Sequence, residues 1–477
     1  MKQSKFCFTW ALYFWFSFVL FHMPTVQART DLAEKTNVSE GTTAHVSETP
    51  EAEFRAELLA TGEKKIRYLL RQGGLSATRF GILIQTADGE TIYEQNPNGL
   101  IKPASNLKLV TTAAALEKLG PDFKFRTDIF IDGYLSYGVL HGNLIISGST
   151  DPLLSGFFDG QINEIVKQWV DTLYTLGVQQ VRGEVILDNS YYVGNDVEID
   201  DGEEYAPVQF STVASFTRAN TSQLNRVSRV RVINTRSGTK KVVRRGFSRG
   251  SRLKRVRIEP NIYLTDALVG EMKARNIIFS EGIEKINYSQ KIDRTQWKHI
   301  YSHYSAPLSE ILSRTNKTSD NFYADQLLRT LGGEYRGEAS IEKGIEVVND
   351  FLLYNVGASR DEFHIVDGSG LSHDNQVTPN LLVEVMKYMK RRSKYFSDYY
   401  ESLSIPTVDG TLVSRIHHEL ATNIRAKTGS ISGITSLSGY LKSRSGMDIY
   451  FSIIGNSYRK RTLKRVEDKI CKILLDL

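Results

Sequence analysis

A chain of 477 residues that is 41% hydrophobic and 24% charged, with a formal net charge of +6, is a globular protein with room for two to four domains and an ample core. No self-similarity is visible at solenoid periods. The sequence has no His-Glu-x-x-His pair, paired-cysteine motif or Gly-rich Walker loop, so metal and nucleotide chemistry lack support and no cofactor is expected.

Residues 1–28 read as an export signal: Lys2 and Lys5, an apolar run over 6–21, then the small-residue cleavage site Val26-Gln27-Ala28. An uncleaved anchor is the competing reading, because the run is rich in Phe and Trp and nearly long enough to span a bilayer. Cleavage would remove Cys7 and leave Cys471 alone, so stability in an oxidising compartment rests on core size rather than on a disulfide. Residues 29–50, mostly Thr, Ser, Glu and Ala, read as a flexible tether.

Phe54, Leu58, Leu59, Ile66, Leu69 and Leu70 recur at helical spacing, which predicts a helix over 51–72 ended by Gly73-Gly74. Apolar segments at 81–84 and 91–93 flank Asp88-Gly89 and predict a hairpin. Next comes Pro103-Ala104-Ser105-Asn106-Leu107-Lys108, leading into an Ala- and Leu-rich run to Leu119. Proline cannot sit inside a helix whereas that run favours one, so Ser105 falls in a first turn, at the positive end of the helix dipole. Residues three apart share a helix face, which brings the Lys108 amine within reach of the Ser105 hydroxyl: a nucleophile beside a base. The pattern alone is weak, since Ser237, Ser251, Ser340 and Ser457 also precede a lysine by three. An ordinary N-cap is the plain alternative.

Residues 121–296 change character. Short strands at 129–131, 143–146 and 184–187, and one helix near 160–176, predict one or two inserted, mainly β domains. The acidic loop 195–204 reads as a solvated surface before a site for a substrate ammonium. From Arg226 to Arg257 basic residues accumulate without a single acid, which would attract a polyanion. An exported protein seldom meets nucleic acid, so none is expected as a partner. An anionic wall polymer or membrane surface ranks ahead of it, and a solvated β face, as the alternation Arg229-Val230-Arg231-Val232 implies, ahead of both.

Helical spacing returns at Leu308, Ile311 and Leu312, followed by a polar break, Ser319-Asp320-Asn321, and a second helix over 322–331. A further helix covers 345–353, Asp367-Gly368-Ser369-Gly370-Leu371-Ser372 is a glycine-rich turn that shapes a loop near a cleft, and Thr378-Pro379 opens another helix. Three strands close the chain, at 426–431, 437–441 and 449–454, with a covering helix built on Val466, Ile470, Ile473 and Leu474. Taken singly, Ser319-Asp320-Asn321 reads as a cap and Lys427-Thr428-Gly429 as a strand with a glycine bulge.

In order, however, Ser105-x-x-Lys108, Ser319-Asp320-Asn321 and Lys427-Thr428-Gly429 form the motif trio of penicillin-binding proteins and class A β-lactamases. With Gly120-Pro121-Asp122-Phe123, Asp151-Pro152, Tyr205-Ala206-Pro207-Val208 and Ala426-Lys427-Thr428-Gly429-Ser430, the chain resembles the D-alanyl-D-alanine carboxypeptidases of the penicillin-binding protein 4 type, peptidase family S13. The basic stretch between Arg226 and Arg257 departs from that resemblance. The resemblance implies a serine β-lactamase/transpeptidase-like α/β sandwich, with an antiparallel sheet and helices, formed by 51–120 and 297–477. It also implies an exported enzyme of the periplasm or cell envelope that hydrolyses peptidoglycan stem peptides and is inhibited by β-lactams.

In that reading Ser105 attacks, Lys108 takes its proton and Ser319 passes a proton to the leaving amine. Asn321 holds the peptide, Lys427 and Thr428 bind the terminal carboxylate beside Gly429, and the Ser105 and Ser430 amides receive the oxyanion. Lys108 must lose its proton near neutral pH, through burial or through a neighbouring cation such as Lys427. A β-lactamase or esterase on the same fold, and a non-catalytic wall-binding protein, are the alternatives.

Overall fold

The computed structural model describes residues 50–72, 79–148, 151–155, 161–188, 190, 230–234, 240–244, 260–279, 283–286, 294–457 and 459–477. The signal 1–28, nearly all of the tether, the acidic loop 195–204 and all but 230–234 and 240–244 of the basic stretch lie outside these residues. Among the described residues no helix is long and apolar enough to cross a membrane.

Helix α1 (Pro50–Gln72) places Ile66 and the part-buried Leu59, Leu69 and Leu70 against the core. Strands β1 (Arg79–Thr86) and β2 (Thr91–Gln95) make the expected hairpin, with Gly89 at φ +101° in the turn. A 3₁₀ turn, Ala104–Leu107, runs directly into α2 (Lys108–Leu119). Every residue of α2 from Lys108 to Leu116 is buried, which explains its unbroken run of small and apolar side chains.

The next region holds β3 (Arg126–Ser136), β4 (Val139–Gly148), α3 (Gln161–Thr175), β5 (Gln180–Arg182), β6 (Val185–Asp188), β7 (Val230–Asn234), β8 (Lys240–Arg244), α4 (Pro260–Ala274), β9 (Ile278–Phe279), β10 (Ile283–Ile286) and β11 (Trp297–Tyr304). Seven of these strands form one mixed sheet, ordered β10-β6-β4-β3-β11, with β5 pairing both β4 and β9. Because β5 and β6 run parallel to β4, the chain must cross over between them, and α3 is that crossover. Helix α4 packs beside α3 over the same core, around Trp169, Leu268 and Met272. The region is therefore more helical than its strand-rich sequence implies: α4 spreads its apolar residues round the helix and shows no stripe. Strand β11, assigned by sequence to the catalytic segment beginning at 297, pairs with β3 in this sheet. The alternation at Val230-Arg231-Val232 falls in β7, which among the described residues pairs with β8 alone.

Then follow α5 (Leu308–Lys317), α6 (Asn321–Arg336), α7 (Ile341–Asp350), β12 (Phe363–His364), β13 (Gln376–Val377), α8 (Pro379–Arg391), α9 (Phe396–Glu401), β14 (Ile424–Ile431), β15 (Ile434–Lys442), β16 (Asp448–Asn456) and α10 (Lys460–Leu475). The N-terminal hairpin and the last three strands join as one antiparallel sheet, β14-β15-β16-β1-β2, through pairs such as Ile82 with Ile453. On one face, Ile82, Ile84 and Ile453 meet α1 and α10; on the other, Leu83, Tyr440 and Ile454 meet α2 and α8. With both faces covered, β15 is buried along its length except Lys442. Helix α2 thus lies sealed between sheet and helices, with the 3₁₀ turn that leads into it beside β14 and β15.

Candidate active site

The approach to Ser105 is conformationally unusual. Ala104 is fully buried at φ +49°, a left-handed backbone that a residue with a Cβ adopts only under constraint. The constraint comes from neighbouring strands and turns. A Cβ on Gly370 would meet the Ala104 carbonyl at 1.9 Å, and one on Gly429 would lie 3.0 Å from the Ser105 nitrogen and 2.1 Å from Ser436 Oγ. Ser436 Oγ donates to the Pro103 carbonyl at 2.6 Å. Asn106, fully buried, turns its amide oxygen to Ser438 Oγ at 2.6 Å, and its nitrogen then donates to the Lys427 carbonyl at 2.8 Å. The Ser105 turn is thereby fixed to β14 and β15 from both sides. Ser105 caps nothing: no side-chain cap bond is made at either helix start.

Lys108 is completely buried, and its Nζ donates to Ser105 Oγ at 3.2 Å, Asn321 Oδ1 at 2.7 Å and the Ser369 carbonyl at 2.7 Å. An ammonium has three N–H donors, and each has an acceptor here. Burial lowers its pKa from the ordinary lysine value to about 8, against the pull of Asp325, Asp320 and Asp367. Of the two causes considered from sequence, burial is the one at work on Lys108.

Helix α6 brings the second motif. Asp320 is its N-cap and accepts from the Tyr323 amide at 3.0 Å, so the capping role falls to the middle residue while Ser319 and Asn321 face the site. Ser319 sits at φ +59°, a second strained non-glycine position. Its hydroxyl accepts from Lys427 Nζ at 2.7 Å, and the same amine donates to the Thr428 carbonyl at 2.8 Å. Lys427 is fully buried on β14 and held well below the usual lysine range, by burial first and by Lys108 second. Thr428 Oγ1 donates to Thr411 Oγ1 at 2.7 Å, and Ser430, exposed, pairs across the ladder with Thr435.

The contacts fall into two groups, Ser105 with Lys108 and Asn321, and Ser319 with Lys427 and Thr428. They are joined at the start of α6, where Ser319, just before the Asp320 cap, and Asn321 stand two residues apart, and by Asn106. Of the eight residues singled out from the sequence, six take part in these bonds, Gly429 lies against the Ser105 nitrogen, and Ser430 is the next residue of β14.

Four contributors escaped the sequence. The Ser369 carbonyl is a main-chain atom, presented because Asp367 gathers the amides of Ser369, Gly370 and Ser372 at 3.0, 2.6 and 2.7 Å. Asn106, Thr411 and Asp325 show no residue pattern of their own.

The sequence model of the D-Ala-D-Ala carboxypeptidase 3 (S13) family matches residues 63–204 and 193–477. The chain is 27% identical to the D-alanyl-D-alanine carboxypeptidase of Actinomadura sp. (strain R39), over 82% of this chain and 79% of that protein. It is also 27% identical to D-alanyl-D-alanine carboxypeptidase DacB of Haemophilus influenzae, over 77% and 83%. The solved structure of penicillin binding protein 4 from H. influenzae, also solved with a β-lactam bound, shares the fold with a TM-score of 0.67 at 21% identity, covering 86% of this chain and 99% of that one. On the extent of the family match and the architecture above, the chain belongs to the S13 family of D-Ala-D-Ala carboxypeptidases.

Proposed function

We propose that the protein is a serine D-alanyl-D-alanine carboxypeptidase that acts on peptidoglycan stem peptides through an acyl-enzyme on Ser105, with DD-endopeptidase activity at the same site. The observation that carries the reading is the bonding of Lys108. Its two short bonds go to Asn321 Oδ1 and the Ser369 carbonyl, which can only accept. When Nζ loses a proton, its two remaining N–H groups stay with those partners, and its lone pair is left facing Ser105 Oγ, the one partner that can donate. The amine then receives the Ser105 proton as the hydroxyl attacks the substrate carbonyl. With a pKa of about 8, roughly one amine in ten is neutral at pH 7, against about one in a few thousand for an ordinary lysine.

Lys427 donates to Ser319 Oγ, which orients that hydroxyl to relay a proton to the departing amine. Because Lys108 takes the Asn321 oxygen, the Asn321 Nδ2 is the end of the amide directed to a substrate carbonyl. Lys427 and Thr428 receive the free carboxylate of the terminal D-Ala, a charge-assisted contact that favours chain ends. The Ser105 and Ser430 amides hold the oxyanion, with Gly429 admitting β14 close to the Ser105 nitrogen. Water then releases the acyl group. A β-lactam enters the same cycle and stalls at the acyl stage. Residues 1–28 direct export to the periplasm or cell envelope, and 121–296 together with β11 form the inserted region.

The test is incubation with purified peptidoglycan fragments ending in D-Ala-D-Ala, followed by chromatography. Wild type should release D-Ala and Ser105→Ala should not; equal release by both, or none by wild type, overturns the reading.

A further inference from the structure

Asp325 takes no part in the steps above, yet it is buried one helical turn along α6 from Asn321, at 9% exposure. Its Oδ1 accepts from the Gly368 amide at 3.0 Å. The Gly368 carbonyl accepts from Thr111 Oγ1 of α2 at 2.7 Å, and the next carbonyl, that of Ser369, accepts from Lys108 Nζ at 2.7 Å. A Cβ on Gly368 would come within 2.7 Å of the Ala324 carbonyl, so turn and helix touch backbone to backbone. Burying a carboxyl group is costly unless partners compensate, and packing alone would be served by an apolar side chain.

We propose that Asp325 is a positioning residue for Lys108: through the Gly368 amide it holds the Ser369 carbonyl against Nζ, and its carboxylate is part of the charge that faces the amine. This rests on Lys108 being the base of the preceding section. The groups facing Lys108 are Asp320 at the N-cap of α6, Asp325 from α6, Asp367 from the turn and Lys427 from β14; those facing Asp325 are Asp367, Lys108 and Arg329. Among the acids that hold the amine protonated against burial, Asp325 acts most strongly. Burial and Asp367 raise its own pKa to about 7, so its charge is present above that pH, where Lys108 titrates. Removing the charge lowers the pH at which the amine becomes a base; removing the oxygen also loosens the turn.

The experiment measures the rate of acylation by a fluorescent penicillin across about pH 6 to 10 for the full chain, for Asp325→Asn and for Asp325→Ala, with circular dichroism as a control for folding. Asparagine keeps an oxygen for Gly368, so the acid limb should move down by about one pH unit with the plateau rate within about threefold of wild type. Alanine should move the limb and also lower the plateau about tenfold. A purely structural residue would leave the limb where it is. The proposal is overturned if the Asp325→Asn profile superposes on that of wild type, or if folded Asp325→Ala keeps the full plateau. If Asp325→Ala does not fold, the limb of Asp325→Asn decides alone. Wild type that is acylated at no pH overturns the proposed function instead, and this inference with it.

Discussion

Gly429→Ala tests whether β14 is seated against the nucleophile. The added methyl would lie 2.1 Å from Ser436 Oγ and 3.0 Å from both the Pro103 carbonyl and the Ser105 nitrogen. None of these is the free end of a flexible side chain, since Ser436 is fully buried and its hydroxyl is bonded to Pro103. Ser436 must leave, stranding the Pro103 carbonyl at a cost of about 1–3 kcal/mol, and overpacking adds about 1–3 kcal/mol. The melting temperature should fall by about 5 °C, taking ~1–3 °C per kcal/mol for a domain this large. A few tenths of an ångström of displacement at Ser105 disturbs both the attacking oxygen and an oxyanion donor. Acylation should therefore slow by roughly 100-fold, about 3 kcal/mol at the transition state. The assay is stopped-flow labelling with a fluorescent penicillin, beside a thermal melt. A variant labelled within about threefold of wild type, with an unchanged melt, would refute the close approach of β14 to Ser105.

Acylation by wild type should rise tenfold per pH unit up to about 8 and then level, because the neutral amine is the reactive form and burial places its titration there; a rate that falls over that range contradicts the assignment of the base. Lys108→Arg should abolish labelling, since a guanidinium keeps its proton and cannot serve as base, and wild-type labelling by a folded variant would show that the base lies elsewhere. Asp409→Ala removes the 2.7 Å ion pair with Lys317 and the acceptor of the Ile405 amide at 2.8 Å. Both ion-pair side chains are part-exposed, so only about 1–2 kcal/mol should be lost, read by urea denaturation, with acylation slowed less than tenfold as the Thr411 segment loosens.

Much of this arrangement could be read from residue order. The Ala- and Leu-rich run after Pro103 announces α2 because burial on all sides demands small and apolar side chains, and the closing strands announce themselves by apolar runs between glycines. What escaped had no residue-level signature. Helix α4 lacks an apolar stripe, and β11 joins the sheet of β3 through a pairing more than 150 positions apart in the chain. The Ser369 carbonyl is available to every residue type, and only the folded turn aims it at Lys108. Asp325, an acid within a helix, looks like surface charge until its burial is known. Lys427 suggested itself as the cation that lowers Lys108, but burial is what lowers it, and burial belongs to the fold rather than to spacing.

The most direct measurement is peptide mass spectrometry of the intact protein after brief exposure to a penicillin. A mass increment of one drug molecule on the peptide that contains Ser105, absent from Ser105→Ala, is the result expected of an acyl-enzyme formed by the Lys108-activated hydroxyl. No adduct on folded wild type, or an adduct on another serine, would contradict it.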